Sequence, residues 1–130
     1  MIGVLMVFLG GGAGAAARYG VNNAAISLLG PALPWGTLTV NVAGSFAMGL
    51  VWAFVSAHLE TLPAEVRLML ATGFLGGFTT FSAFSLDAVS LWERGDGLFA
   101  AGYVLASVAL SLAALALGLW LMRNLAGGAI

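Results

Sequence analysis

Charged side chains almost vanish from four long stretches of this chain, and that spacing leaves few folds open. From about Gly3 to Leu29 the only charge is Arg18, and from Trp35 to Ala57 there is none. From Leu68 to Trp92 the only charge is Asp87, and from Leu98 to Met122 there is none. Each stretch is near the twenty or so apolar residues that a helix needs to cross a bilayer. The connections are short: Pro31 and Pro34 punctuate the first, His58 to Glu65 with Pro63 form the second, and Arg94-Gly95-Asp96-Gly97 is a tight turn. The pattern predicts an all-α chain, one transmembrane domain over residues 1–130 built from four spans. Only 7% of residues are charged, against about 25% in soluble domains, so the chain cannot solvate a globular surface.

The same composition excludes several functions. There is no lysine and the net charge is −1, so no basic face exists for nucleic acid. Cysteine is absent and histidine occurs once, too few ligands for a zinc site. Gly12-x-Gly14-x-x-Ala17 imitates a dinucleotide-binding turn, but that motif needs an acid about twenty residues later, and none precedes Glu60. Gly10, Gly14 and the neighbouring alanines read better as a face on which helices approach closely in lipid. His58, Glu60 and the serines offer no nucleophile with a base at readable spacing, so the chain is read as no enzyme. Ala15-Ala16-Ala17 resembles a small-residue cleavage site, yet the start lacks a basic segment and three more spans follow. The first span is therefore expected to stay.

Residues 73–84, Gly-Phe-Leu-Gly-Gly-Phe-Thr-Thr-Phe-Ser-Ala-Phe, make a poor plain helix within the third span. Arg67 to Arg94 as one straight helix would be about 42 Å long, against a hydrocarbon core of about 30 Å. A broken third helix, opened at Gly76-Gly77, absorbs the excess. In lipid an opened helix must find partners for its freed backbone groups, and broken helices at mid-membrane are where transporters hold ions.

Three polar stripes accompany the break. Thr37, Asn41 and Ser45 share a face of the second span, Tyr103, Ser107 and Ser111 share one of the fourth, and Thr79, Thr80 and Ser82 cluster in the third. Taken singly they read as interhelical glue. Taken together with the break, they read as one track through the membrane. The track is rich in hydroxyl and amide donors and Arg18 adds a cation, which favours an anion. Phe81 and Phe84 lie three apart on one face, and phenyl edges are partly positive. Asp87 reads as an interfacial or capping group.

Arginines are split two and two between the sides, with Arg67 and Arg123 on one and Arg94 and Arg18 on the other. Without a positive-inside bias, insertion in both directions and an antiparallel homodimer follow as an expectation.

Three segments resemble a known family: Gly12-x-Gly14-Ala15-x-x-Arg18-Tyr19, Gly36-Thr37-Leu38-Thr39-Val40-Asn41-x-x-Gly44-Ser45-Phe46, and Gly73-Phe74-x-Gly76-Gly77-Phe78-Thr79-Thr80-Phe81-Ser82. They are similar to the Fluc (CrcB-type) fluoride channels of bacteria, and Tyr103, Ser107 and Ser111 extend the likeness to the fourth span. The resemblance implies a dual-topology, antiparallel homodimer in the lipid of the bacterial inner membrane, exporting the fluoride ion passively to reduce its toxicity. By that resemblance Phe81 and Phe84 are phenyl-edge ligands of the ion, and Asn41 is the amide that supports them. Thr80, Tyr103, Ser107 and Ser111 belong to the polar track, and Arg18 lines the vestibule. The backbone carbonyls of Gly76 and Thr79 hold a structural Na+ at the dimer centre. One departure is Ala83, where the family commonly carries threonine. The rival readings are a small dual-topology multidrug exporter driven by protons and a non-transporting membrane assembly subunit. The exporter needs a carboxylate deep in the first helix, which this chain lacks.

Overall fold

A computed structural model describes residues 1–126. They are all-helical, and no strand occurs among the described residues. Four helices are long and apolar enough to cross a membrane: Ile2–Leu29, Trp35–Ala57, Ala64–Glu93 and Gly97–Leu125. The third starts four residues before the expected Leu68. Pro63 sits at its N-cap with φ −56° and Glu65 in its first turn. Proline has no amide to leave unpaired and an acid suits the positive helix end, so the helix begins before the apolar run.

The turns are closed by glycines in the left-handed region. Gly30 has φ 81° after the first span and Gly95 has φ 87° in the Arg94–Asp96 turn. A side chain at either would strain the backbone. The outer faces are apolar: Phe8 is 74% exposed and Leu28 is 82% exposed. Contiguous apolar surface of this kind has no place in water and suits lipid.

The first limb of the third span, residues 64–78, lies against the first span at backbone distance. A Cβ added to Gly10 would overlap the Met69 carbonyl, and one at Gly14 would overlap the Phe74 carbonyl. The second and fourth spans meet in the same way, through Gly49 and Gly118. Such contacts replace the hydrophobic drive that lipid removes. Within the first limb, Leu68–Leu75 is π-helical, a wider winding than the α-helix that the sequence predicts there.

The interruption of the third span lies three residues beyond its expected place. Gly76 and Gly77 are helical, within Gly76–Phe78. Thr79 (φ −82°, ψ 159°) and Thr80 (φ −155°, ψ 121°) are extended. The second limb, Phe81–Glu93, then starts with Thr80 as its cap, the Ala83 amide donating to Thr80 Oγ1 at 3.2 Å. The reason for the displacement comes from another span. The amide of Asn41 brackets Thr80, its Nδ2 donating to the Thr80 carbonyl (2.9 Å) and its Oδ1 accepting from the Thr80 amide (2.8 Å). Both backbone groups of Thr80 are thus satisfied. The glycines need no such help, because glycine weakens a helix without ending it.

Candidate ion pathway

The second limb stands away from the second span, and the space between them is a cavity of about 300 Å³. Asn41 and Ser45 line it from the second span, Thr79, Thr80, Phe81 and Phe84 from the third, and Ser107 and Ser111 from the fourth. Members of the polar stripes on three spans therefore face one space, while Thr37, Ser82 and Tyr103 do not line it. Gly44 keeps it narrow on one side, since a Cβ there would overlap the Thr79 methyl group.

The two phenylalanines form a tilted pair, with ring centroids 5.3 Å apart and planes at 52°. Their surroundings differ sharply. Phe84 is 9% exposed and packs on Tyr103 (centroids 5.5 Å), whereas Phe81 is 78% exposed. An aromatic ring left open beside a polar cavity lacks part of its packing within one chain.

The hydroxyls differ too. Ser56 and Ser85 donate to carbonyls four residues back, at 2.8 Å and 2.9 Å, the usual resting place for a helical serine. Ser107 is 5% exposed and its buried Oγ has no partner. A buried hydroxyl without a partner is unfavourable unless something fills the role. Ser107 is among the residues lining the cavity that the two phenyl rings also line. Thr80 Oγ1 lies 3.3 Å from Ser82 Oγ.

Tyr103 does not line this cavity. Its ring forms the wall behind Phe84, and its hydroxyl donates to Asp87 Oδ2 at 3.3 Å. Asp87 is therefore no free interfacial group, as the sequence reading has it, but the hydrogen-bond partner of Tyr103. Its signal was its place three residues after Phe84, on the same helical face; the missing knowledge was that Tyr103 of the fourth span stands opposite.

Arg18 lies elsewhere than expected. Its Nη1 donates to the Thr79 carbonyl at 3.5 Å, midway along the first span rather than near its end, and it lines neither this cavity nor the one bordered by Asn22, Thr37 and Asp87. The arginine count at the spans' ends is then Arg67 and Arg123 against Arg94. Gly76 is exposed on the surface of the third span. The Thr80 amide, its helical partner four residues on, donates to Asn41 instead, which releases the Gly76 carbonyl. Among the described residues no group of three or more His, Cys, Asp or Glu is placed to hold a metal, so neutral carbonyl oxygens are the donors available at the break.

Comparison with known proteins places the chain. The family profile described as CrcB-like protein, Camphor Resistance (CrcB), matches residues 5–119. The chain belongs to this family. Among its relatives is the fluoride-specific ion channel FluC of Mesorhizobium japonicum, 54% identical over 125 residues, 96% of this chain and 99% of the relative. The proteins of the same name in Rhizobium etli and Chelativorans sp. are 55% and 56% identical, covering 97% and 96% of this chain and 100% and 99% of their own lengths. With its four apolar helices, this CrcB-family chain is a multi-pass membrane protein.

Proposed function

We propose that this CrcB-family chain is a fluoride-selective channel, releasing fluoride passively from the cell and thereby lowering its toxicity. The observation that carries the reading is the single cavity that Ser107 and Ser111 line together with Phe81 and Phe84. The names of the relatives support it independently. Dehydrating a small anion is costly unless fixed donors replace its water. Ser107 and Ser111 supply hydroxyl donors, and the rims of Phe81 and Phe84 supply positive aromatic edges. Tyr103 carries the track on toward Asp87. Thr80 and Asn41 act by holding the start of the second limb, so that Phe81 and Phe84 keep their tilt. Arg18 places positive charge behind Thr79 at mid-membrane.

On this reading the working unit is an antiparallel homodimer in the lipid of the bacterial inner membrane, with the break of the third span at its centre. The exposed ring of Phe81 and the exposed backbone at Gly76 support a second copy there. The carbonyls of Gly76 and Thr79 fit a Na+ ion, being hard oxygen donors at a helix interruption. When bound, the ion would neutralise freed carbonyl dipoles where two copies meet. In one chain the Arg18 guanidinium already faces the Thr79 carbonyl, so it would have to turn aside.

Liposomes holding the purified chain test the reading. Fluoride efflux is expected to be fast and to need no pH gradient. A requirement for a pH gradient would instead support a proton-coupled exporter.

A further inference from the structure

Beyond Tyr103 the polar track reaches a second cavity of about 280 Å³, lined by Asn22, Thr37, Asp87 and Ser90 and roofed by residues 30–34. Its lining mixes these polar side chains with Ile26, Trp35 and Leu91, and it borders the track: Asp87 receives the Tyr103 hydroxyl at 3.3 Å, and Thr37 is 6% exposed. The roof is a short connection between two spans. It begins at Gly30, in the left-handed region with φ 81°, and continues through Pro31 to Pro34. Prolines at 31 and 34 remove two backbone donors. Backbone bonds anchor it from the Gly30 amide to the Ile26 carbonyl (2.9 Å), from the Trp35 amide to the Leu33 carbonyl (2.9 Å) and from the Leu38 amide to the Pro34 carbonyl (3.1 Å), and Leu33 packs against the cluster of Phe84, Leu91, Ala100 and Tyr103. At its middle, the Ala32 carbonyl accepts from Arg94 Nη2 at 3.0 Å. Among the described residues this is the single side-chain bond to the roof. It comes from the turn after the third span, 62 positions away in the chain. Asp96 stands 3.9 Å from the same Nη2 and holds the guanidinium from the other side.

We infer that Arg94 is the latch of this roof, and that the latch sets how readily water and ions reach Thr37 and Asp87 from outside. The inference rests on the proposed pathway in one respect only, that the second cavity is its mouth. Arg94 itself borders the second cavity, and it acts on Thr37 and Asp87 through residues 30–34, so it is a positioning residue.

The absence of cysteine makes the test clean. Thr37→Cys is introduced into the full chain, and its rate of modification by a water-soluble methanethiosulfonate reagent is measured in reconstituted protein. Adding Arg94→Gln is expected to raise that rate about fivefold, the change in an opening equilibrium that follows loss of one partly exposed hydrogen bond. Arg94→Lys keeps a donor within reach of the Ala32 carbonyl and is expected to stay near the parent rate. An unchanged rate in Arg94→Gln overturns the latch, and so does an equal rise in both variants. Fluoride flux of the parent chain is read in the same vesicles. Vesicles that pass no fluoride while Thr37→Cys responds to Arg94→Gln would remove the pathway and leave the latch. Vesicles that pass fluoride while Thr37→Cys does not respond would remove the latch alone.

Discussion

The two limbs of the third span are built for opposite ends. Residues 64–78 are clamped: glycines of the first span let backbone touch backbone at Met69 and Phe74. Phe81–Glu93 stands off from the second span, and what fills the gap is a cavity, an unpaired serine hydroxyl and a phenyl pair of which one member is bare. The chain changes character within two residues, Thr79 and Thr80, and the Asn41 bracket sits at that change. A membrane protein without a hydrophobic drive between its helices must win rigidity somewhere by close packing. Concentrating it in one limb leaves the other free to carry polar groups that a packed helix would have satisfied.

The comparison breaks most visibly if the clamp is filled. Gly14→Leu drives a side chain into the Phe74 carbonyl, and a loss of more than about 4 kcal/mol is expected, read as failure to recover folded protein by size-exclusion chromatography. Next, Phe84→Ile and Phe81→Ile should both lower fluoride flux at least about tenfold, roughly 1.4 kcal/mol of barrier. Phe84→Ile should also lower the stability of the single chain, in which Phe84 is buried, whereas Phe81→Ile, at a ring exposed there, should instead weaken the association of two copies. Unchanged flux in either variant would refute its role as a ligand. Asn41→Ala removes both bonds to Thr80 and should cost about 1–3 kcal/mol in a denaturation series. Ser107→Ala should leave stability within about 0.5 kcal/mol, since its hydroxyl has no partner to lose, and yet reduce flux. The smallest effect is expected for Ser85→Ala, whose hydroxyl turns back to the Phe81 carbonyl: within about 0.5 kcal/mol in stability and no change in flux. A larger flux loss in Ser85→Ala than in Ser107→Ala would reverse the assignment.

Much of this was legible from residue order. Long uncharged stretches announce spans because the bilayer fixes their length, and Asn41, Ser107 and Ser111 announce their faces because helical spacing does. What could not be read was set by contacts between spans. The break falls at Thr79 and Thr80 because Asn41 reaches that backbone, a partner 39 positions away; composition alone favours the glycines. Asp87 looked solitary until Tyr103 stood opposite. Arg18 looked like an end group because its own span shows no depth marker, and only Thr79 fixes its level.

The most direct test of the central claim is ion-selective electrode recording of vesicles that contain the full chain, with fluoride and chloride compared under the same gradient. The account predicts rapid fluoride release with chloride almost retained. Vesicles that hold their fluoride, or that lose both halides alike, would contradict it.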